Sequence, residues 1–331
     1  MDPPILKISG LSKTYGKKTI LNNVNLDIYP GEIVGLIGSS GSGKTTLLNS
    51  IVGFLQPDEG DVMFKDERLV ADAERTVYKS VYKNPKTVKQ MYGFAAQMPS
   101  FYEKLTVREN LEYFGKMYNL SKETLSSNIE TLLRLMELET SQETLGEDLS
   151  GGMERRLDIA CSLIHNPRIL ILDEPTADLD PLLRKNISSL IKTINSKGTT
   201  IMLSSHHLNE LETLCDKVAI INNKTIAEIG TVEELLQKHS KVREIIIESQ
   251  PGKYDKLGKK LKKSFSKNIK DYLVKENELI IRCVDPHKIF NELISEIESS
   301  KEKIMELKLI KPSLDQIFFS LKKQVEPKSQ K

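Results

Sequence analysis

The residues from Gly38 to Thr45 read G-S-S-G-S-G-K-T, a glycine-rich segment that ends in a lysine and a hydroxyl residue. The apolar run Ile33 to Ile37 precedes it, and the run Thr46 to Ile51, which suits a helix, follows it. Glycines at these positions let backbone N–H groups turn inward around an anion, while the lysine reaches the outer phosphates and the hydroxyl holds Mg²⁺. The pattern therefore predicts a phosphate loop between a buried strand and a helix in an α/β fold.

Two other apolar runs end in polar side chains. The first, Arg168 to Glu174, closes with two carboxylates, and the second, Thr199 to His206, closes with a histidine. Uninterrupted apolar runs of this length are typical of central parallel strands, and ligands of open α/β sheets bind outside the carboxyl ends of such strands. Four side chains are therefore expected to converge on one edge of the sheet: Lys44, Asp173, Glu174 and His206. Phosphoryl transfer needs a metal, an oriented water and a polar contact to the γ-phosphate at such an edge.

Together with L-S-G-G-M at Leu149 to Met153, these motifs come in the order found in one family. Over about Ile5 to Leu236 the chain resembles the nucleotide-binding subunits of ATP-binding cassette (ABC) transporters. The resemblance implies an α/β P-loop NTPase core with an antiparallel β subdomain and an ABC-type helical subdomain at about residues 98–165. It also implies that the chain hydrolyses ATP with Mg²⁺.

The resemblance also implies roles for individual residues. Tyr15 would stack on adenine, Glu174 would be the catalytic base, and His206 would contact the γ-phosphate. Mg²⁺ would be served by Thr45, Gln97 and Asp173. The residues that would cradle the phosphates are Gly38, Ser39, Ser40, Gly41, Ser42, Gly43, Lys44, Thr45 and Thr46. Residues expected to reach ATP held by a second subunit are Ser150, Gly151 and Gly152, with Asp180 in a loop that crosses the dimer interface.

The segment Leu149 to Met153 has a reading of its own. Ser150 suits the N-cap of a helix, and a glycine pair at a helix start leaves N–H groups uncovered, which suits a phosphate. An ordinary capped helix is the alternative. The family usually has glutamine where this chain has Met153. This difference predicts the loss of some polar contact, while the hydroxyl and the glycines that would touch phosphate remain.

Single residues outside the motifs have alternatives as well. A tyrosine near a strand, such as Tyr15, is often a packing residue, and Gln97 could be a polar strand end. His207 follows His206 directly and is expected to be solvated or to stand behind it. Asp178 and Asp180 could serve only as loop-turn residues.

Composition and length limit the class of protein. The chain has 331 residues, which suggests two domains or one large domain with an appendage. No apolar stretch approaches the roughly 20 residues of a membrane helix, and the start, Met1 to Pro4, does not resemble a signal peptide. The three cysteines are widely spaced and form no metal or disulfide pattern, which fits a reducing cytoplasm. The expected location is the cytoplasmic face of the cell membrane, held there by a membrane partner.

Charge divides the chain in two. Residues 240–331 contain 21 Lys+Arg and 14 Asp+Glu, a net charge of +7, which leaves −5 for residues 1–239 within the total of +2. We therefore predict a nucleotide-binding domain over 1–239 and a small α+β domain over 240–331. Strand-like segments are expected at Val242 to Glu248, Glu278 to Val284 and Lys303 to Ile310, and helices at Pro286 to Ser299 and after Ser313. The tail resembles the appendage of ABC subunits that serve exporters.

The basic stretch 253–270 has the pattern of an amphipathic helix, because Leu257, Leu261 and Phe265 recur every four residues. Its lysines form either a solvated face or a surface for anionic lipid headgroups or acidic loops of a partner. They are Lys253, Lys256, Lys259, Lys260, Lys262, Lys263, Lys267 and Lys270.

Two segments between the motifs stay open to interpretation. The basic stretch 75–89, with Tyr78 and Tyr82, reads as a solvated loop or extra hairpin, or else as a partner-binding insertion. The stretch Phe101 to Gly115 faces the membrane partner's cytoplasmic helices in the family, so its apolar residues pack in the helical subdomain or line that groove. These residues are Leu105, Val107, Leu111, Tyr113 and Phe114.

The sequence as a whole is interpreted as the ATPase subunit of an exporter built with a separate permease. Because every hydrolytic position is filled, we expect a homodimer that holds two ATP molecules between its subunits. One rival is a soluble ABC protein of DNA repair or translation, but the chain has neither a second cassette nor a long coiled-coil insertion, and no nucleic-acid partner is expected. A scaffold without turnover is disfavoured by Glu174.

Overall fold

The computed structural model describes residues 2–66, 77–239, 243–275, 277–310, 313–315 and 317–318. The chain divides between Val232 and Glu233 into two compact units. The sequence places the domain boundary near His239, at the end of the helix that begins at this division. Among the helices of the described ranges, none combines the length and apolar character that crossing a bilayer requires.

In the first part of the chain the predicted apolar runs form strands, and the segment after the phosphate loop forms a helix. The strands are β1 (Leu6–Tyr15), β2 (Lys18–Ile28), β3 (Ile33–Ile37), β4 (Glu59–Lys65), β5 (Tyr78–Ser80), β6 (Tyr92–Ala95), β7 (Ile169–Leu172), β8 (Thr200–Ser205), β9 (Lys217–Asn222) and β10 (Thr225–Gly230). The helices are α1 (Lys44–Val52), α2 (Pro85–Met91), α3 (Val107–Met117), α4 (Lys122–Leu135), α5 (Gly151–Leu163), α6 (Pro181–Ser196), α7 (Leu208–Leu214) and α8 (Val232–His239).

The central sheet has the strand order β10-β9-β3-β8-β7-β6 over the residues described. The pairs β9/β3, β3/β8, β8/β7 and β7/β6 are parallel, and β10 is antiparallel to β9. Every residue of β3, β7 and β8 is buried, because packed elements cover both faces of this parallel sheet. The carboxyl ends of β3, β6, β7 and β8 therefore lie along one edge, which confirms the predicted α/β architecture.

A second, antiparallel sheet of order β2-β1-β4-β5 packs into the same core. Leu6 and Ile8 of β1 and Phe64 of β4 are at most 2% exposed, and they join Leu47 and Leu48 of α1 in one cluster. The described part of the basic insertion begins in this sheet: β5 pairs antiparallel with β4, and α2 follows it. Residues 75 and 76 of that insertion lie outside the described ranges.

Helices α3, α4 and α5 lie between β6 and β7 and form the helical part of the first unit. Thr106 caps α3 in a reciprocal capping box with Glu109, and Ser121 caps α4. The apolar stripes of the three helices are buried, through residues such as Leu111, Ile129 and Leu157. Val107 and Leu111 of α3 therefore belong to this helical core, while Tyr113 is exposed.

The second unit is a βαββαβ arrangement with strand order β12-β13-β11-β14, all neighbours antiparallel, which is the ferredoxin-like pattern. Its elements are β11 (Arg243–Gln250), α9 (Tyr254–Ser264), β12 (Ile269–Lys275), β13 (Glu278–Cys283), α10 (Pro286–Ser299) and β14 (Lys303–Ile310). Leu257 and Leu261 of α9 and Leu293 of α10 pack with Ile245 and Ile281 of the sheet. The helix Pro286–Ser299 has its predicted bounds, whereas β12 was not predicted.

Candidate active site

The phosphate loop joins a fully buried strand, β3, to α1. Lys44 is the first residue of α1, is 9% exposed, and donates from Nζ to the carbonyl oxygen of Gly38 at 3.0 Å. Gly43, at the N-cap, has a φ of 104° and no side chain to cap the helix. The first N–H groups of α1 therefore have no partner within the helix and are available to an anion held by the loop.

Two observations show that the loop fits phosphate oxygens. The hydroxyl of Ser42 is buried and, among the described residues, has no hydrogen-bond partner. A Cβ atom on Gly38 would lie 2.2 Å from Ser42 Oγ and 3.3 Å from the carbonyl oxygen of Ile221. A side chain at position 38 would therefore fill the turn, and an unpaired buried hydroxyl is costly until a ligand binds it. Thr45 is exposed beside them.

Asp173 stands at the carboxyl end of β7, at the edge where β3 delivers the phosphate loop. It is 2% exposed, and its Oδ1 accepts a hydrogen bond from Ser204 Oγ of β8 at 2.5 Å. The backbone N–H of Asp173 donates to Ala95 O of β6 at 2.9 Å, which continues the ladder past the end of the strand. Asp173 is thereby fixed from both neighbouring strands. Carboxylate and hydroxyl oxygens, such as those of Asp173 and Thr45, are the ligand type that Mg²⁺ prefers.

Glu174 connects the predicted phosphate-binding groups. Its Oε1 lies 3.5 Å from Lys44 Nζ, and its Oε2 lies 2.7 Å from His206 Nδ1 and accepts from the backbone N–H of His206 at 3.3 Å. Glu174 is 8% exposed and has a φ of 50°, a backbone conformation that is uncommon outside glycine. These contacts bring Lys44, Glu174 and His206 together, and Asp173 precedes Glu174 at the end of β7.

The two adjacent histidines have different surroundings. The side chain of His206 is 53% exposed and touches Glu174, whereas His207 is half-buried beside Arg184, whose Nη1 lies 3.3 Å from both ring nitrogens. Burial, then the neighbouring His206 and Arg184, lower the pKa of His207. Arg184 also donates to Leu179 O and lies 3.7 Å from Glu210. His206 therefore faces the site, and His207 stands behind it.

Gln97 and Tyr15 lie at the surface of the first unit. Gln97 follows β6, the strand next to β7, and its side chain is exposed. Tyr15 ends β1 at the turn into β2 and is 52% exposed, with Lys13 Nζ 5.8 Å from its ring centre. An exposed aromatic face beside a cation is suited to stacking on a planar base.

Ser150 occupies the N-cap position of α5 but its hydroxyl does not cap the helix. The predicted N-cap position of Ser150 is confirmed, and its exposed hydroxyl remains available to another partner. Gly151 is exposed with open space beside it, whereas a Cβ on Gly152 would lie 3.0 Å from Leu183 Cδ2 of α6. Met153 is half-buried in the first turn.

Asp180 has a structural role, which was the alternative in the sequence-based interpretation. Its Oδ1 accepts hydrogen bonds from the N–H groups of Leu182 and Leu183, at 2.9 and 3.0 Å, and so caps α6. Asp178 is exposed and has a φ of 59°. Both residues lie in the loop that connects Glu174 to α6.

Three polar residues that bind the site loops were not identified from the sequence: Ser204, Arg155 and Asp158. Arg155 and Asp158 are buried on α5 at 6% and 1% exposure, and they bond to the segment after β6 and to Glu174. Charged residues in a helix usually indicate a solvated face, so no periodic pattern distinguishes them. The one sequence feature that could have indicated their burial is their position beside the apolar residues Leu157 and Ile159.

Residues 21–177 match the sequence model of the ABC transporter family. The linearmycin resistance ATP-binding protein LnrL of Bacillus subtilis is 31% identical over 320 residues, which are 96% of this chain and 98% of that protein. The chain belongs to the ABC transporter family. A Nod factor export ATP-binding protein I of Ralstonia nicotianae is 34% identical over 233 residues, 70% of this ABC chain and 69% of that protein.

A solved dimer of an ATP-binding cassette, in a post-hydrolysis state with ADP and Pi, resembles this ABC subunit. The TM-score is 0.58 and the identity 28%, over 68% of this chain and 98% of that one. This ABC subunit is accordingly an ATP-binding and ATP-hydrolysing protein of the P-loop α/β class. The match to LnrL covers 320 of the 331 residues and therefore also extends into the second unit of this chain.

Proposed function

We propose that this chain hydrolyses ATP at the edge formed by β3, β7 and β8 and thereby powers export through a separate membrane protein. The observation that carries the proposal is the contact of the Glu174 carboxylate with Lys44, at 3.5 Å, and His206, at 2.7 Å. It brings a base, a phosphate-binding cation and a polar ring to the mouth of a phosphate loop. These are the parts that phosphoryl transfer to water requires.

In this proposal each site residue of one subunit has a role that follows from its position. The loop Gly38–Thr46 and Lys44 hold the β- and γ-phosphates, and Tyr15 stacks on adenine. Glu174 orients and deprotonates the attacking water, and His206 bonds the γ-phosphate and holds the carboxylate in place. When bound, Mg²⁺ would supply positive charge between the β- and γ-phosphates, with Thr45, Gln97 and Asp173 as the residues that hold it.

ATP binding is proposed to close two copies of the chain around two nucleotides. The exposed hydroxyl of Ser150 and the first N–H groups of α5, which have no partner within the helix, would reach the γ-phosphate in the partner's loop. The solved cassette with ADP and Pi is dimeric, which supports this arrangement. A homodimer is favoured because each hydrolytic position of the chain carries a functional residue.

The membrane partner is proposed to dock on exposed aromatic and sulfur side chains near α3. Tyr102 and Tyr113 are 48% and 38% exposed, with ring centres 4.7 Å apart and hydroxyls 3.2 Å apart. Met98 and Met117 are 77% and 63% exposed. Large exposed apolar groups of this kind mark interaction surfaces. Such docking would hold the chain at the cytoplasmic face of the membrane.

The export role is supported by the relatives, since LnrL is named for linearmycin resistance and the Ralstonia protein for Nod factor export. Neither name indicates a role in DNA repair or translation, so the alternative of a soluble ABC protein with such a role is not favoured. The transported molecule would be selected by the membrane partner.

The proposal is tested by ATP-dependent dimerisation. The variant Glu174→Gln should bind ATP and elute as a dimer in gel filtration with ATP, because it keeps the shape of the site but lacks the base. The double variant Glu174→Gln with Ser150→Arg is the matched control, and it should remain monomeric while retaining bound nucleotide. A Glu174→Gln protein that stays monomeric at saturating ATP would contradict the sandwich.

A further inference from the structure

Arg155, the fifth residue of α5, binds to the backbone of two loops that lead into the active site. Its Nη1 donates to Ala96 O at 2.9 Å, and its Nη2 donates to Gln97 O at 3.3 Å and to Glu174 O at 2.9 Å. The guanidinium is a planar group with several fixed donors, so it can hold three carbonyls in one arrangement. One side chain therefore connects the helix of Ser150 with both loops.

Asp158 completes the connection from the next turn of the same helix. Its Oδ1 accepts from both the N–H and the hydroxyl of Ser100 at 2.9 Å, and its Oδ2 lies 3.4 Å from Arg155 Nη1. Burial raises the pKa of Asp158, and burial lowers the pKa of Arg155. A buried ion pair needs further hydrogen bonds to offset desolvation. Here those bonds all go to the segment 96–100 and to Glu174.

The bond to Glu174 fixes a backbone conformation that needs support. Glu174 has a φ of 50°, and a residue other than glycine persists there only where its surroundings hold it. Its N–H donates to Ser204 Oγ at 2.9 Å, and its carbonyl accepts from Arg155 at 2.9 Å and from the N–H of Ala177 at 3.1 Å. The direction of the Glu174 carboxylate therefore depends on Arg155.

We infer that Arg155 is a positioning residue that couples the two ATP sites of the dimer. The inference rests on the proposed sandwich, in which Ser150 touches ATP of the other subunit. Ser150 and Arg155 are joined by rigid helix over about 7.5 Å, at about 1.5 Å per residue. A displacement of Ser150 by the partner's γ-phosphate thus moves the group that holds Gln97 and Glu174. Engagement at one site thereby aligns the base at the other.

The test compares Arg155→Lys with Arg156→Lys. Arg156 is the next residue of the helix, but it bonds Met136 O and Glu137 in the helical part and, among the residues that the structure describes, no active-site loop. A lysine at 155 keeps the charge beside Asp158 and cannot hold three carbonyls at once. We expect Arg155→Lys to lower kcat by about tenfold or more, since misplacement of a catalytic group by an ångström can cost more than this. The Hill coefficient for ATP should fall from about two toward about one.

Three further measurements separate positioning from a loss of folding. Arg155→Lys should bind a fluorescent ATP analogue with unchanged affinity, and in the Glu174→Gln background it should still dimerise with ATP. Arg156→Lys should keep the wild-type kcat and Hill coefficient. Wild-type kinetics in Arg155→Lys would overturn the inference, as would a loss of nucleotide affinity equal to the loss of turnover. Failure of Glu174→Gln alone to dimerise would instead overturn the sandwich, and the coupling with it.

If Arg155→Lys fails to fold, Asp158→Asn replaces it in the test. Asparagine keeps an acceptor for Ser100 and removes the charge that faces Arg155. The Asp158→Asn protein should show the same reduced Hill coefficient with intact nucleotide affinity. Unchanged cooperativity in a folded Asp158→Asn protein would count against coupling through this pair.

Discussion

The carboxylate of Glu174 is bonded to His206 through Oε2, with 2.7 Å between that oxygen and Nδ1. Its other oxygen lies 3.5 Å from Lys44 Nζ, so the carboxylate stands between the two groups that the proposal assigns to phosphate. A bound γ-phosphate would provide Lys44 with a stronger anionic partner. ATP binding is therefore expected to release Glu174 from Lys44 and leave it free to act on water.

The different contacts of Glu174 and Lys44 predict different defects. Glu174→Gln should retain ATP affinity while steady-state hydrolysis falls by about 10²-fold or more, since the general base is lost. Lys44→Ala should weaken nucleotide binding itself, because it removes a charge from the phosphates. Fluorescent-nucleotide titration and a phosphate-release assay distinguish the two. Hydrolysis near the wild-type rate in Glu174→Gln would remove this residue from its role.

The exposed hydroxyl of Ser150 predicts a defect that acts in trans. Ser150→Arg should leave the nucleotide affinity of its own subunit unchanged and block closure on the partner's ATP. Mixing it with Lys44→Ala subunits should produce heterodimers with at most one competent composite site. Loss of nucleotide binding by the Ser150→Arg monomer would show that Ser150 acts on its own subunit's site.

His165 predicts acid sensitivity of the first unit. Its ring stacks on Tyr118 with 3.7 Å between centres, and its Nε2 lies 3.0 Å from Tyr92 O. Burial lowers the pKa of His165 from 6.5 to about 4. The unfolded chain therefore takes up a proton that the folded chain rejects, and the contribution of His165 to stability is full above pH 6.5 and declines as the pH falls toward about 4.

The variant His165→Phe should retain the stack on Tyr118 and remove this titration. Its melting temperature should fall less than that of the wild type between about pH 7 and about pH 5. Differential scanning fluorimetry of both proteins at these two pH values measures the difference. Parallel losses of melting temperature in both proteins would assign the acid sensitivity to other groups.

The basic surface of α9 predicts the outcome of a lipid-binding test. Leu257 and Leu261 are buried in the core of the second unit, so the apolar face of this helix is already used. Lys260 pairs with Glu296 and Lys262 lies 3.6 Å from Asp271, while the exposed lysines without a partner in the described residues are Lys256, Lys259 and Lys263. Attachment to anionic lipid would thus be electrostatic and salt-sensitive.

Changing Lys256, Lys259 and Lys263 to glutamine should reduce co-sedimentation with anionic vesicles and leave ATP hydrolysis unchanged. Changing Lys260 and Lys262 should have a smaller effect, because those side chains already have acidic partners. Equal pelleting of the wild type and both variants, or pelleting of none, would favour a solvated face.

The sequence predicts the site well where the residues of one short motif both bind the ligand and determine the local structure. The phosphate loop needs glycines, a lysine and a hydroxyl at fixed spacing, and β3 and α1 flank it as their apolar runs indicate. The sequence predicts that Asp173, Glu174 and His206 lie at one edge because the ends of parallel strands meet there, and in the structure Glu174 contacts His206. These predictions depend on short-range pattern and on a general property of the fold.

The groups that hold the site in place depend on long-range packing, and the sequence does not indicate them. Ser204 reaches Asp173 from a strand more than thirty residues away, and Arg155 reaches Ala96 across 59 positions. The strand β12 was obscured by charge, since Lys270, Asp271 and Lys275 interrupt its apolar residues on an exposed edge. Tyr78 and Tyr82 donate hydrogen bonds to the backbone of Pro4 and Ser50. The sequence does not indicate these contacts either, because the partners lie far apart along the chain.

The alignment of β7 with β8 limits where this chain can change its length. Leu172 lies opposite Leu203, so Asp173 and Ser204 are the next residues on each strand. One residue inserted in β8 before Leu203 would put leucine where Ser204 now bonds the carboxylate, and the side chains beyond it would change faces. We therefore expect insertions and deletions among relatives to fall in the turns, such as the one between β9 and β10, and not in these two strands.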